Sequence, residues 1–208
     1  TGTYTKPIFF TRILDRNGKV LIENVPETRQ ALKESTAFLL TDAMTDVMQS
    51  NVMYTRPGAG INATGSSAAI PGMTTAGKSG TTSDNNDIWF VGCSPYYTAG
   101  IWGGCDNNQK LKDEHGSRNG GTSFAKRIWR KIMTRVHDGM SDPGFPMPDG
   151  IETAQVCRKS GKLAVPGVCS SDPRGNAVYT EYFAKGTAPT EACDHHVRVT
   201  VCAVSGGR

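Results

Sequence analysis

The sequence predicts an α+β fold, an antiparallel sheet flanked by helices, followed by a small cysteine-containing tail. Three observations carry that expectation. From Gly77 to Gly103 the chain reads as strand, polar turn, strand, turn, strand. Two amphipathic helical patterns bracket this meander, and Asn17-Gly18 marks a hairpin near the N-terminus.

Residues Ile8 to Leu14 are β-prone, Asp15-Arg16-Asn17-Gly18 forms a strong turn, and Val20 to Val25 pairs back. A helix is expected to begin near Ser35 or Thr36, either of which suits an N-cap. Leu39, Leu40, Ala43, Met44, Val47 and Met48 then recur at helical spacing and predict one apolar stripe, so the methionines are core filling. Arg56 to Gly77, rich in glycine and small polar residues, reads as a long loop of the kind that often carries function. Ile88 to Cys93 is a continuous apolar run, which predicts a buried strand. The second helix should run from about Thr122 to His137. Phe124, Ala125, Ile128, Trp129, Ile132, Met133 and Val136 are expected to face inward, with Lys126, Arg127, Arg130, Lys131 and Arg135 on a solvated outer face.

With 208 residues, 37% hydrophobic residues and three tryptophans, the chain can bury a core and is not a disordered protein. A formal charge of +4 is mild and does not argue for nucleic acid, and no nucleic-acid partner is expected. No apolar stretch is long enough to span a bilayer, and no signal peptide opens the chain, although Thr1 does not read as a natural start.

Lys78-Ser79-Gly80-Thr81-Thr82 holds the most chemistry. A strand with a free edge accepts an extended peptide through main-chain hydrogen bonds, and Gly80 removes a side chain that would block close approach. Lys78 adds a fixed positive charge, and Ser79 and Thr81 add hydroxyls, a set that suits a ligand carboxylate. A glycine-interrupted surface strand with a solvated lysine is the other reading of the same pentapeptide.

A Lys-Ser/Thr-Gly strand is one of three signatures of serine enzymes that react with penicillin. The surrounding blocks share the resemblance: Thr36-Ala37-Phe38-Leu39-Leu40-Thr41-Asp42-Ala43-Met44, Thr75-Ala76-Gly77 ahead of Lys78, Asp87-Ile88-Trp89-Phe90-Val91-Gly92, and Gly120-Gly121-Thr122-Ser123. So do Ser160-Gly161-Lys162-Leu163-Ala164, Glu181-Tyr182-Phe183 and Gly186-Thr187-Ala188-Pro189-Thr190-Glu191-Ala192-Cys193 in the tail. The chain resembles the C-terminal half of the transpeptidase domain of class A, bifunctional penicillin-binding proteins of Gram-positive, clostridial type. Cys93 stands where that family usually has an aromatic residue.

The resemblance implies the β-lactamase-like fold of the serine penicillin-recognising transpeptidases, incomplete in this chain. Residues 1–140 would be the C-terminal part of the transpeptidase domain, 141–156 a Pro/Gly linker, and 157–208 the cysteine-containing tail. It also implies D,D-transpeptidase or carboxypeptidase chemistry on peptidoglycan stem peptides, with acylation by β-lactam antibiotics and no cofactor. Lys78 and Thr81 would be catalytic, the Thr81 amide donating to the oxyanion, a contact typically worth about 3–4 kcal/mol. Lys78, Ser79, Gly80, Thr81 and Thr82 would form the substrate-binding strand, with Thr82 shaping its end. The location implied is the extracytoplasmic face of the plasma membrane, anchored by a segment outside this chain.

In the family a Ser-x-x-Lys nucleophile and a Ser-x-Asn motif precede the Lys-Ser-Gly strand. They are expected upstream or on another chain, making that upstream half of the domain a partner. Ser123-Phe124-Ala125-Lys126 and Ser83-Asp84-Asn85 match the two patterns in the wrong order, and Ser123 suits an ordinary helix N-cap.

Cys157, Cys169, Cys193 and Cys202, with His195-His196, raise the question of zinc, but no Cys-x-x-Cys occurs. The location the family implies favours disulfides instead. Cys157 with Cys169 and Cys193 with Cys202 is the expected pairing, each closing a short loop, with no metal; Cys93 and Cys105 are expected to be free and partly buried. A β-lactamase, a β-lactam sensor, and a non-catalytic wall-binding role for the tail are the competing readings.

Overall fold

β1 (Thr3–Thr5) pairs antiparallel with β4 (Thr28–Gln30), and between them β2 (Arg12–Leu14) and β3 (Val20–Glu23) form the hairpin expected at Asn17-Gly18. The Asp15 carboxylate accepts the amides of Asn17 and Lys19 at 2.8 and 2.9 Å, while Gly18 takes a φ of +80° that its missing Cβ permits. The computed structural model describes residues 1–49, 52–56, 59–111 and 123–199, with the backbone alone given for 52–56 and 59–62.

Helix α1 (Glu34–Met48) follows, and β5 (Val52–Arg56) pairs with β6 (Ala59–Asn62). The loop expected from Arg56 to Gly77 is therefore interrupted by a strand and by a short 3₁₀ turn at Ser66–Ala68. Next come β7 (Ala76–Thr81), β8 (Asp87–Cys93), β9 (Thr98–Gly104) and helix α2 (Phe124–Val136). β10 (Ile151–Cys157) and β11 (Val178–Ala184) close the series as an antiparallel pair. Residues 141–156, expected as a linker, are therefore without helix or strand only up to Gly150. The Pro/Gly-rich run ends there, and the β-prone Ile-Glu-Thr-Ala-Gln-Val that follows pairs with β11.

The chain forms two compact units, Leu40–Pro146 and Thr1–Leu39 with Met147–Arg208. In the first, β7, β8 and β9 make the expected meander, in the order β7-β8-β9. Its covered face carries Ile88, Phe90 and Gly92, against which α2 lays Ala125, Trp129 and Met133. The Trp129 ring meets Phe90 edge-on at 5.3 Å, and its indole N–H donates to the Ala99 carbonyl at 3.0 Å. Met48, Ala68, Ile70 and Met73 complete this core.

Two expectations of burial fall short. β8 alternates instead of being buried on both faces: Trp89 and Val91 point the other way and are each 46% exposed, as is Trp102 beside them on β9. On α2, Ile128, Ile132 and Val136 are exposed rather than inward. The apolar pattern is wider than the surface that these residues find to pack on, and the same holds for α1, where Met48 is the buried member of the stripe and Leu40 is exposed.

In the second unit Phe38 meets Tyr182 of β11 edge-on at 5.3 Å. Beyond the β10–β11 pair, its buried cluster consists of Cys157, Cys169, Ala177 and Cys193. Among the described residues no helix is long and apolar enough to cross a membrane.

Candidate functional site

β7 lies at the margin of its sheet, paired with β8 on one side. Lys78 stands opposite Val91, Ser79 opposite Phe90, Gly80 opposite Trp89 and Thr81 opposite Ile88. Just past the strand, the Thr82 amide donates to the Asp87 carbonyl at 3.2 Å, across the hairpin. Amides of successive strand residues point to opposite sides, so those of Ser79 and Thr81 are directed to the margin away from β8. Lys78 is exposed and its ammonium donates to the Ser79 carbonyl at 2.9 Å. At Gly80 a Cβ would come within 3.2 Å of the Trp89 Cβ, so the bare backbone leaves this stretch of strand free of a side chain on that face.

The Thr82 hydroxyl accepts the amides of Asn86 and Asp87, both at 3.0 Å, which closes the turn and occupies that oxygen. Ser83, Asp84 and Asn85 lie in the same turn, where Asn85 has a φ of 59° and Asp84 pairs with Lys110 at 3.0 Å. Ser123 takes the cap position of α2 without a side-chain capping hydrogen bond, and Lys126 donates to the Thr64 carbonyl at 2.9 Å. Gly120, Gly121 and Thr122 lie outside the described residues. Among the described residues, neither motif lookalike has the arrangement of an activated nucleophile.

The sequence reading missed a buried serine–histidine pair. Ser94 Oγ lies 2.7 Å from His137 Nε2, and His137 Nδ1 lies 2.7 Å from the Met133 carbonyl oxygen. A carbonyl oxygen can only accept, so Nδ1 carries the proton and the Ser94 hydroxyl donates to Nε2. The serine oxygen also accepts the amides of Tyr96 and Tyr97, at 3.1 and 3.0 Å. With both residues only 6% exposed, the pair ties the turn after β8 to the end of α2 and is placed as a structural lock.

The cysteines depart from expectation. Cys157 and Cys169 are not joined; Cys93, Cys105, Cys157, Cys169 and Cys193 all carry free thiols, and Cys202 lies outside the described residues. Cys93 is partly buried as expected, and burial pushes its thiol up, whereas Cys105 is exposed. Cys157 at the end of β10, Cys169 in a 3₁₀ turn, and Cys193 with His196 in the last described loop converge, their ligand atoms all within 4.8 Å of one another. His196 Nδ1 lies 3.4 Å from Cys157 Sγ and 3.5 Å from Cys193 Sγ, while Nε2 lies 2.8 Å from the buried Asp172 carboxylate. That carboxylate, and then Cys193, raise the imidazole to about 9. Burial alone would raise the Cys193 thiol, but hydrogen bonds from Ser160, His196 and Cys157 hold it at about 6. Such a set can hold a metal ion. The signal in the sequence was Cys193-x-x-His196, a tight ligand pair that a search confined to Cys-x-x-Cys passes over.

Residues 1–134 match the penicillin binding protein transpeptidase domain, and residues 147–198 match the C-terminal domain of penicillin-binding protein 1A. Penicillin-binding protein 1A of Clostridium tetani is 37% identical over 198 residues, 95% of this chain and 23% of the relative. That of Clostridium botulinum is 35% identical over 99% of this chain and 23% of the relative, and penicillin-binding protein 1A/1B of Bacillus subtilis is 32% identical over 91% and 20%. The chain thus spans about a quarter of the length of the curated relatives it matches. The crystal structure of penicillin-binding protein 1A from Haemophilus influenzae superposes with a TM-score of 0.68 at 19% identity, covering 92% of this chain and 31% of that one, and shares its fold. The structure of PonA1 from Mycobacterium tuberculosis gives 0.51 at 25% identity over 66% of this chain and 34% of that one. With both family models matched in order, one on each side of residues 135–146, the chain belongs to the class A penicillin-binding proteins, of which it carries transpeptidase-domain and C-terminal-domain sequence.

Proposed function

We propose that this chain supplies the substrate-binding edge of a D,D-transpeptidase that cross-links peptidoglycan stem peptides. The observation that carries the reading is the margin of β7 from Lys78 to Thr81, which no strand among the described residues covers, inside the stretch matched to the transpeptidase domain. A stem peptide ending in D-alanyl-D-alanine lies along this margin as an added strand. The Lys78 ammonium and the Ser79 and Thr81 hydroxyls receive its terminal carboxylate, and Thr82 holds the end of the strand through its turn.

A serine hydroxyl from outside this chain attacks the carbonyl between the two D-alanines. Its proton passes to the departing amine as the C–N bond breaks and the terminal D-alanine leaves. The Thr81 amide, directed to the margin, donates to the oxyanion of the tetrahedral intermediate. An amine of a neighbouring stem, or water, then takes the acyl group and frees the serine. A β-lactam presents the same carboxylate and carbonyl, so it uses the same contacts and stops at the acyl-enzyme. The working site is extracytoplasmic, where peptidoglycan is assembled, with the membrane anchor and the Ser-x-x-Lys and Ser-x-Asn groups outside residues 1–208.

Labelling with a fluorescent penicillin tests the reading. This chain alone should take no label, whereas the full-length protein should be acylated on a peptide outside residues 1–208. Covalent label on Ser83 or Ser123 overturns the proposal.

A further inference from the structure

We propose that Cys157, Cys169, Cys193 and His196 bind one zinc-class divalent cation in a closed tetrahedral site that holds the C-terminal tail together. Three separate pieces of chain deliver the ligands: the end of β10, the 3₁₀ turn at Cys169–Ser171, and the loop at Cys193–His196. Three sulfurs and one imidazole nitrogen form a complete four-ligand set for zinc. Around a tetrahedral ion with Zn–S near 2.3 Å and Zn–N near 2.05 Å, neighbouring sulfur and nitrogen atoms stand about 3.6 Å apart. The observed separations of 3.4 and 3.5 Å from His196 Nδ1 to two of the sulfurs already match that edge.

The surroundings are those of a ligand shell rather than of a disulfide. His196 turns Nε2 to the Asp172 carboxylate at 2.8 Å, which fixes the ring and leaves Nδ1 facing the sulfurs. Asp172 is itself buried and held by the Arg174 amide at 2.8 Å. The amides of Lys159 and Val165 donate to Cys157 Sγ and Cys169 Sγ at 3.4 and 3.2 Å, which offsets the charge that thiolates carry around a dication. A disulfide between Cys157 and Cys169 uses neither the imidazole nor its carboxylate.

Folding economy points the same way. The buried cluster of this tail is Cys157, Cys169, Ala177 and Cys193, with Ala164, Val165 and Val178 packed against it. That is too little apolar surface to order a region carrying so few paired strands, and a metal crosslink among three loops is the usual remedy at this size. Binding releases the remaining thiol protons to solvent and involves no oxidant.

The test is metal analysis of the whole chain, purified without added metal or chelator. About one zinc per chain is expected, with Cys157, Cys169 and Cys193 protected from alkylation until the ion is removed. Cobalt(II) exchanged into the site should give the intense visible bands of a tetrahedral ion and the near-ultraviolet charge-transfer bands of thiolate ligands. His196→Ala and Cys169→Ser should lose the ion, and Asp172→Asn should weaken binding by about 10–100-fold. Should those variants fail to fold, the wild-type cobalt spectrum and alkylation map decide alone. Free, alkylatable thiols without stoichiometric metal overturn the proposal, as does a chain about 2 Da lighter from a Cys157–Cys169 disulfide.

Discussion

The Thr82 amide reaches the Asp87 carbonyl at 3.2 Å, and this one bond orients the residue before it: Thr81 must present its own amide to the margin of β7. Lys78, three residues earlier, is exposed, so the charge and the amide assigned to substrate both stand clear of the sheet interior. Replacing Lys78 by Ala in the full-length protein should slow penicillin acylation by about 10²–10⁴-fold. As an exposed position it should change folding stability by no more than about 0.5 kcal/mol. Stopped-flow acylation paired with a thermal melt separates the two effects, and a melt that collapses together with the rate refutes the assignment.

Gly92 should not tolerate a side chain. A Cβ there would lie 2.8 Å from Trp129 Cζ2 and 3.0 Å from Phe90 Cε1, both atoms of buried rings in edge-on contact. Neither ring is the loose end of a flexible side chain, so Gly92→Ala must displace the α2 packing. The expected cost is about 1–3 kcal/mol, read as a lowered urea midpoint with unchanged slope.

The meander was legible because Asn, Asp, Pro and Gly punctuate it and β8 is rich in β-branched and aromatic residues. Which face of β8 is covered was not, since Trp89 and Val91 are as apolar as Ile88 and Phe90 and the alternation exists in exposure alone. An apolar run tells how much surface seeks cover; a chain matching a quarter of its relatives' length need not contain that cover. β6 was hidden by glycine and alanine, poor strand formers whose pairing with β5 outweighs propensity. Of the cysteine cluster only the Cys193-x-x-His196 pair was legible. Cys157 and His196 are far apart in sequence, and only folding brings the Asp172 carboxylate behind the imidazole.

The Ser94–His137 pair should behave as a lock and not as a nucleophile. Ser94→Ala removes the proton donor to Nε2 and the acceptor for two turn amides, at an expected cost of about 1–3 kcal/mol. His137→Ala removes the ring's bonds to Ser94 and to the Met133 carbonyl, which keeps the His137 backbone amide, and leaves a cavity, so about 2–4 kcal/mol is expected. The double variant should cost less than the sum, since each single change already breaks the shared bond. Acylation of the full-length Ser94→Ala protein by penicillin, measured below its melting range, should proceed at the wild-type rate.

Asp142 supplies a pH-dependent tie in the same unit. Its carboxylate accepts the Thr74 hydroxyl and amide at 2.6 and 2.8 Å and the Gly144 amide at 3.0 Å, joining the segment after α2 to the approach to β7. The Thr74 hydroxyl, above the other contacts, holds the carboxyl below its ordinary range. A folded-state value below the unfolded one means stability that is present above the unfolded pKa, about 3.9, and lost as pH falls through the lowered value. Because the group is exposed, screening by solvent limits the contribution to about 0.5–1 kcal/mol. Asp142→Asn should therefore be less stable than wild type by that amount at pH 6 in urea titrations, and the gap should close as the pH is taken down through the acid limb. A gap that stays constant down to the acid-unfolding range would mean that the charge of Asp142 plays no part, and that the asparagine differs only in the hydrogen bonds its amide cannot accept.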